Sequence, residues 1–426
     1  MESEVVEASY QHSKCSRLTN QAQFSSTSVK DSILTIPILP PELITEILLR
    51  LPVKSLLKFR AVSKSWLSLI SSPEFIKNHL SVSANNKDYT HHRVIWSFRQ
   101  GFLNLKDCTL NSFFSESVTE VFDLNYRMTS DGLYDQLPQF ETIVGSVNGL
   151  ICLADEKNNV FLWNPSNRKY KKLPTPRPAL RFEMWRMNGF GYDELHDDYK
   201  LVGTFRRCGR FNRGRLKLYS LKSDSWRSVD PWANVADRRS REQLDVSGKF
   251  VKGKLYWPTA TVDGLYVFYK EWNITSFDLA NEKWGKVEHP CYEEGDIDLL
   301  LEVLGSDLSV FCNNHGKHIS IWIMKEYGVK ESWTKMFTIN YPDRYVGDRH
   351  VFFLPYFMSN KGEILVMFLF HTTSMIYNPK DDSLRYSKVI EFNGGPKAEV
   401  YVESLVCPFS REGAADATKT QKATKA

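Results

Sequence analysis

The side chains able to do chemistry are spread thinly along this 426-residue chain. His315 and His318 stand at the spacing of a metal-binding pair, but no carboxylate or thiol lies beside them at ligand spacing, so the pattern reads as a polar hairpin turn. Cysteines fall at 15, 108, 152, 208, 291, 312 and 407, an odd count without C-x-x-C. That suggests neither a disulfide framework nor a zinc site and leads us to expect a reducing compartment, the cytoplasm or nucleus. G-x-S-x-G, H-E-x-x-H, a glycine-rich phosphate loop and a kinase signature are all missing from the sequence. No catalytic residue, no metal ligand and no cofactor is expected.

Charge offers two further candidates. Arg206, Arg207, Arg210, Arg213 and Arg215 surround a glycine-containing turn, and Arg238, Arg239 and Arg241 form a second cluster. Guanidinium forks match carboxylate and phosphate, so both could grip an acidic or phosphorylated segment. The plain alternative is a solvated loop that aids solubility. The acidic stretch Glu293, Glu294, Asp296 and Asp298 has the same standing with the opposite sign. A net charge of +5 is too small to argue for nucleic acid. No apolar run reaches the length of a membrane span, and the N-terminus, with Glu2, Glu4 and Glu7, lacks the apolar core of a signal peptide.

The elements that would position a site fall into two textures. Between 36 and 80, Leu43, Ile47, Leu48 and Leu51 recur at helical spacing, after Pro40 and Pro41 and before Pro52. Leu56, Leu57, Phe59, Val62, Trp66, Leu69 and Ile70 predict two more short helices ending near Pro73. Such a unit is too small to bury all of these side chains, and an apolar strip left in water favours a partner. The alternative is a bundle that packs on the rest of the chain.

From 93 to 409 short aromatic and β-branched runs alternate with Gly, Asn, Asp and Pro, the pattern of strands and turns. A strand ending in an aromatic is followed by a polar turn and a second aromatic: Trp163 then Tyr170, Tyr219 then Trp226, Phe277 then Trp284, Trp322 then Trp333, Tyr377 then Tyr386. The second aromatics step by 56, 58, 49 and 53 residues. A period near 50–55 is one four-stranded blade, which predicts a β-propeller of about six blades. Trp163, Trp226, Trp284 and Trp333 are then core residues. Two stacked β-sandwiches are the alternative. Residues 1–33 and 410–426 are expected to be disordered, and 81–92 to form a linker.

Leu39, Pro40, Glu42, Leu43, Glu46, Ile47, Leu48, Arg50, Leu51, Pro52, Val53, Lys54, Ser55, Leu56, Phe59, Arg60, Val62, Lys64 and Trp66 meet the F-box pattern throughout. The stretch thus resembles an F-box, with a second proline at 41 as the one departure, and L-P-V-K-S-L is typical of plant members. V-N-G-L-I-C-L at 147–153, L-W-N-P-S-N-R-K-Y-K-K-L-P at 162–174, G-F-G-Y-D at 189–193 and Y-V-E-S-L-V at 401–406 look like the plant F-box-associated interaction domain, kelch-like or S-locus F-box-like. The resemblance implies a three-helix F-box ahead of a mostly-β domain. It implies the substrate receptor of a Skp–cullin–F-box ubiquitin ligase, non-catalytic, with a target protein held by the propeller, and no nucleic-acid or membrane partner. Adaptor contact is carried onto Leu39, Pro40, Ile47, Leu48, Leu51, Pro52, Val53, Leu56, Val62 and Trp66, with Leu43, Phe59 and Leu69 holding the helices together. The two arginine clusters become speculative target contacts. The alternative is an interaction protein that binds the adaptor without a cullin.

Overall fold

Proline and serine punctuate the helical region in the computed structural model. Helix α1 (Pro41–Leu49) starts at a proline, where the missing N–H is no loss. Pro52, at φ −59°, caps α2 (Val53–Phe59). The Ser63 side chain accepts the Trp66 amide at 3.1 Å and opens α3 (Lys64–Ser71). Ser72 does the same for Phe75 at 3.2 Å and opens α4 (Pro73–Ala84), with Pro73 in the first turn. The region therefore holds four helices, not the expected three. Pro73 begins a helix rather than ending one, and α4 runs into the segment expected as linker. Ser63→Ala should cost about 1 kcal/mol of local helix stability. Faster hydrogen exchange at the Trp66 amide would report it, and an unchanged rate would count against the cap.

The structure describes residues 39–100, 102–115, 122–124, 140–155, 158–176, 183–207, 215–229, 247–262, 269–290, 297–314, 317–342, 353–368, 374–387 and 397–409. The expected disordered ends lie outside them. The chain divides into two units, 1–44 and 45–426. In the first, the opening turn of α1 is closed by Ile44 N–H donating to the Pro40 carbonyl at 3.1 Å.

In the second unit, β1 (His92–Gln100), β2 (Phe102–Thr109) and β3 (Phe122–Asp123) follow α4, with a short α5 (Asn111–Phe114) between the last two. A second sheet is β4 (Phe140–Val147), β5 (Leu150–Asp155), β6 (Val160–Asn164) and β7 (Lys169–Lys172). The third is β8 (Glu183–Asp193), β9 (Asp198–Arg207), β10 (Arg215–Ser220) and β11 (Ser225–Ser228). The fourth is β12 (Lys249–Val251), β13 (Lys254–Val262), β14 (Tyr269–Asp278) and β15 (Trp284–Val287). The fifth is β16 (Ile297–Leu304), β17 (Asp307–Asn314), β18 (His318–Met324) and β19 (Trp333–Asn340). The sixth is β20 (Phe353–Met358), β21 (Ile364–Phe368), β22 (Ser374–Asn378) and β23 (Ser383–Ser387). Strand β24 (Lys397–Val402) returns to β1 and completes the first sheet. Six antiparallel four-stranded blades result, with β24, β4, β8, β12, β16 and β20 side by side around the centre. This is a six-bladed β-propeller.

The aromatic repeat has a direct physical basis. Trp163 faces Tyr170, Tyr219 faces Trp226 and Phe277 faces Trp284 across the third and fourth strands of their blades. Trp333 and Tyr386 likewise lie on fourth strands. In four hairpins the residue five after the first aromatic takes a positive φ: Arg168, Asp224, Glu282 and Asp382. Tyr219 and Tyr377 donate their hydroxyls to Asp224 and Asp382, at 2.5 and 2.9 Å, which ties the turn back to the strand. One apolar cluster fills each of the six gaps between neighbouring blades. A blade is thus buried only by its neighbours, and the circle has to close.

The closure gathers motifs that lie far apart in sequence. Asp107 on β2 accepts Arg93 Nε at 2.5 Å and the Tyr401 hydroxyl at 2.9 Å, linking three strands of the first blade. Burial alone would lower the Arg93 pKa, but the Asp107 bond and charge hold it above its ordinary value. Burial, with Asp107 beside it, pushes Tyr401 well up. Beyond β24, Asn164 Nδ2 donates to the Ser404 and Val406 carbonyls at 2.9 and 2.8 Å, and Asn167 Nδ2 reaches Val406 at 2.8 Å. Ser404 Oγ donates to the Asn148 carbonyl at 2.8 Å. V-N-G, N-P-S-N and E-S-L-V are three parts of one clasp.

Candidate functional site

Among the described residues, six of the ten exposed large apolar side chains fall within 39–84, which marks the helical region as the exceptional surface. Leu39 and Leu43 in the first unit are 50% and 46% exposed, and Ile47, four residues on, is 51% exposed. The spacing of four puts Leu43 and Ile47 on one helical face. Between α2 and α3 Val62 is 61% exposed, and on α3 Leu67 is 47% exposed. Pro40 and Pro52 are exposed, Leu51 is half-buried, and half-buried Trp66 meets Phe59 edge-on at 5.5 Å.

Four sequence expectations change here. Leu48, Val53 and Leu56 are buried, and with Ile70 and Phe75 they belong to the core. They are thereby removed from the candidate contact surface. Leu43, expected to hold the helices together, lies in the open instead. The physical reason is that apolar spacing marks a helical face without saying what covers it. Phe59 and Leu69 are half-buried. Leu67 lies one residue beyond the F-box pattern, which ends at Trp66, so that pattern does not reach it.

The arginine clusters stand elsewhere. Arg206 and Arg207 end β9 and Arg215 opens β10, at the strand ends away from the start of β1. Opposite them, the β10 hairpin returns to β9 at Tyr199, which bonds Asn148 in the clasp. The side chains of Arg206, Arg207 and Arg215 lie outside the described residues. So do Arg210, Arg213, Arg238, Arg239 and Arg241, together with Glu293, Glu294 and Asp296.

The ionisable groups that are described serve mainly to tie blades together. Asp193, on β8, meets Lys200 at 2.8 Å and His196 at 2.7 Å, and Lys200 also donates to the Leu279 carbonyl of the next blade at 2.7 Å. Burial would raise the Asp193 carboxyl, but Lys200 and His196 outweigh it and hold the pKa low. Lys249 and Glu302 join the inner strands of the fourth and fifth blades at 2.5 Å. Burial pushes the Cys108 and Cys312 thiols up to about 12, which leaves both inert. Among the described residues no group of three or more His, Cys, Asp or Glu is placed to hold a metal ion. No helix among them is long and apolar enough to cross a membrane.

The class of molecule is therefore a six-bladed β-propeller that follows a helical region with apolar side chains left in water. Family models match both parts, an F-box domain over residues 36–78 and an F-box associated beta propeller domain over 102–407, and the chain belongs to that F-box family. An F-box/kelch-repeat protein of Arabidopsis thaliana is 29% identical over 380 residues, covering 87% of this chain and 96% of the relative. The F-box protein CPR1 of Arabidopsis thaliana is 28% identical over 387 residues, covering 86% of this chain and 88% of its own length.

Proposed function

We propose that this chain is the substrate-recognition subunit of a Skp–cullin–F-box ubiquitin ligase. The helical region docks on the Skp-type adaptor, and the propeller holds a target protein. The chain itself makes and breaks no bond. Its contribution is proximity, since it places a target lysine near a charged conjugating enzyme carried by the cullin. One observation carries this reading: the F-box leaves Leu39, Leu43, Ile47, Val62 and Leu67 exposed. Adaptor contact is assigned to Leu39, Pro40, Ile47, Leu51, Pro52, Val62 and Trp66, with Leu67 added.

Ile47 and Val62 are exposed, so charging them need not disturb the core. Replacing an anchoring interface residue typically costs about 2 kcal/mol or more. Ile47→Asp with Val62→Asp is therefore expected to weaken adaptor binding by roughly a hundredfold or more while the thermal transition of the ring stays in place. Pull-down with purified adaptor checks this, and unchanged capture by a folded variant would remove the docking assignment. Recovery of a cullin with the wild-type chain separates the ligase from an adaptor-only role. Proximity labelling with the proteasome inhibited would supply the target.

A further inference from the structure

Three imidazoles stand where the helices of the second unit meet the ring. His79 and Ser83 lie one turn apart on α4 and are completely buried, and His91 and His92 lead into β1 at 3% and 7% exposure. His79 Nε2 is 2.9 Å from the carbonyl oxygen of Leu51, just past the end of α1. A carbonyl can only accept, so Nε2 carries the proton and Nδ1 is the bare nitrogen of a neutral ring. His91 bonds the carbonyl of Arg50, the preceding residue. One histidine from the helices and one from the start of the ring thus hold two carbonyls left over at the C-terminus of α1. Their rings meet edge to face, with centroids 6.0 Å apart.

The far side of each ring is buried. Nδ1 of His79, His91 and His92 and Oγ of Ser83 are buried with no hydrogen-bond partner among the described residues. Phe75 stacks on His79 at 6.2 Å, and Tyr89 and Phe357 flank His92 at 5.4 and 6.2 Å. Burial is the largest influence on all three rings and lowers their proton affinity, that of His92 to about 4. The charge that His91 would carry opposes protonation of His79 and His92, while the Leu51 and Arg50 carbonyls favour it without offsetting burial. Among the described residues no carboxylate is among the groups acting on the three. Glu403, leaving β24, gives its backbone N–H to the His91 carbonyl at 2.8 Å, and its carboxylate lies 3.9 Å from Arg93.

We propose that His79 and His91 form a proton-sensitive latch that fixes the helices to the ring when neutral and releases them, with the ring still folded, when protonated. A protonated imidazole carries a second N–H at Nδ1, which here meets no acceptor, and two charged rings would stand 6.0 Å apart. Once the latch opens, the rings reach water and protonate near the ordinary value of 6.5. The open form therefore binds more protons. The closed form has its full advantage above about pH 6.5 and loses it as pH falls below that value. Each histidine that takes up a proton on opening adds up to about a tenfold change per pH unit. Release frees the exposed Ile47, Val62 and Leu67 of the second unit from a fixed place relative to the ring.

Hydrogen exchange of the full chain at about pH 7.5 and about pH 5.5, with times scaled for the intrinsic rate, tests the latch. Amides of 73–95 should open roughly ten- to a hundredfold more readily at the lower pH, while β5 and β17 keep their protection. In His79→Gln with His91→Gln, each glutamine can still donate to its carbonyl but cannot titrate, so the response to pH should shrink to what His92 alone supplies. Equal protection at both pH values, loss throughout the ring, or a response undiminished by the double substitution would each overturn the proposal. If the variant fails to fold, the histidine ring resonances of the wild type decide. Titration in step with the opening of 73–95 supports the latch, and titration while that segment stays protected overturns it.

Discussion

Asp107→Ala is expected to open the ring at its seam. The carboxylate is nearly buried and accepts both Arg93 at 2.5 Å and Tyr401 at 2.9 Å. Removing it leaves a largely buried guanidinium with the more distant Glu403 carboxylate at 3.9 Å and takes the acceptor from a buried phenol. Deleting one partner of a buried ion pair costs about 3–5 kcal/mol, because the remaining charge stays desolvated. The loss falls on β24, the one strand that joins the two ends of the ring, so the damage should concentrate there. Thermal unfolding should shift down by several degrees, and limited proteolysis should cut 397–409 first. Asp107→Asn keeps an acceptor but not the charge and should fall between the two. An unchanged transition for the alanine variant would mean that the β1–β24 ladder closes the ring unaided.

Gly149→Ala should damage the same seam from the other side. Gly149 has φ +80°, and a Cβ there would press into Ser404 Oγ and lie 2.5 Å from the carbonyl oxygen of Val402. Backbone strain and the clash together are worth about 2–4 kcal/mol. The neighbouring Asn148 carbonyl would also lose the Ser404 hydroxyl, at 2.8 Å in the native chain. Both substitutions loosen β24 and the segment after it, so the double variant should lose less than the sum of the two single losses. Denaturant unfolding of the four proteins completes the cycle. Strict additivity would show that the Asp107 network and the Gly149 turn hold independently.

Much of this architecture can be read from local chemistry. Prolines and serines around 40–73 mark helix starts because a missing N–H or a side-chain acceptor suits a first turn. The aromatic pairs from Trp163 and Tyr170 onward reveal the blades because each pair spans one hairpin, a contact of short range. The F-box wording at 36–80 was legible for the same reason. Pro73 opens α4 instead of closing a helix, since a proline between apolar runs suits a start as well as a stop.

What sequence could not supply were contacts between distant parts of the chain. Asn148, Asn164 and Ser404 stand in three separate motifs until the ring brings them together. Leu43 and Leu48 have the same period and the same chemistry, yet one is in water and the other buried. His79 and His91, unremarkable in sequence, share the end of α1 only after the chain has wound from helix into ring. Periodicity is a property of neighbours along the chain and assigns the elements. Burial depends on what the rest of the chain brings against a side chain, and only the closed fold settles which side chains remain available to a partner.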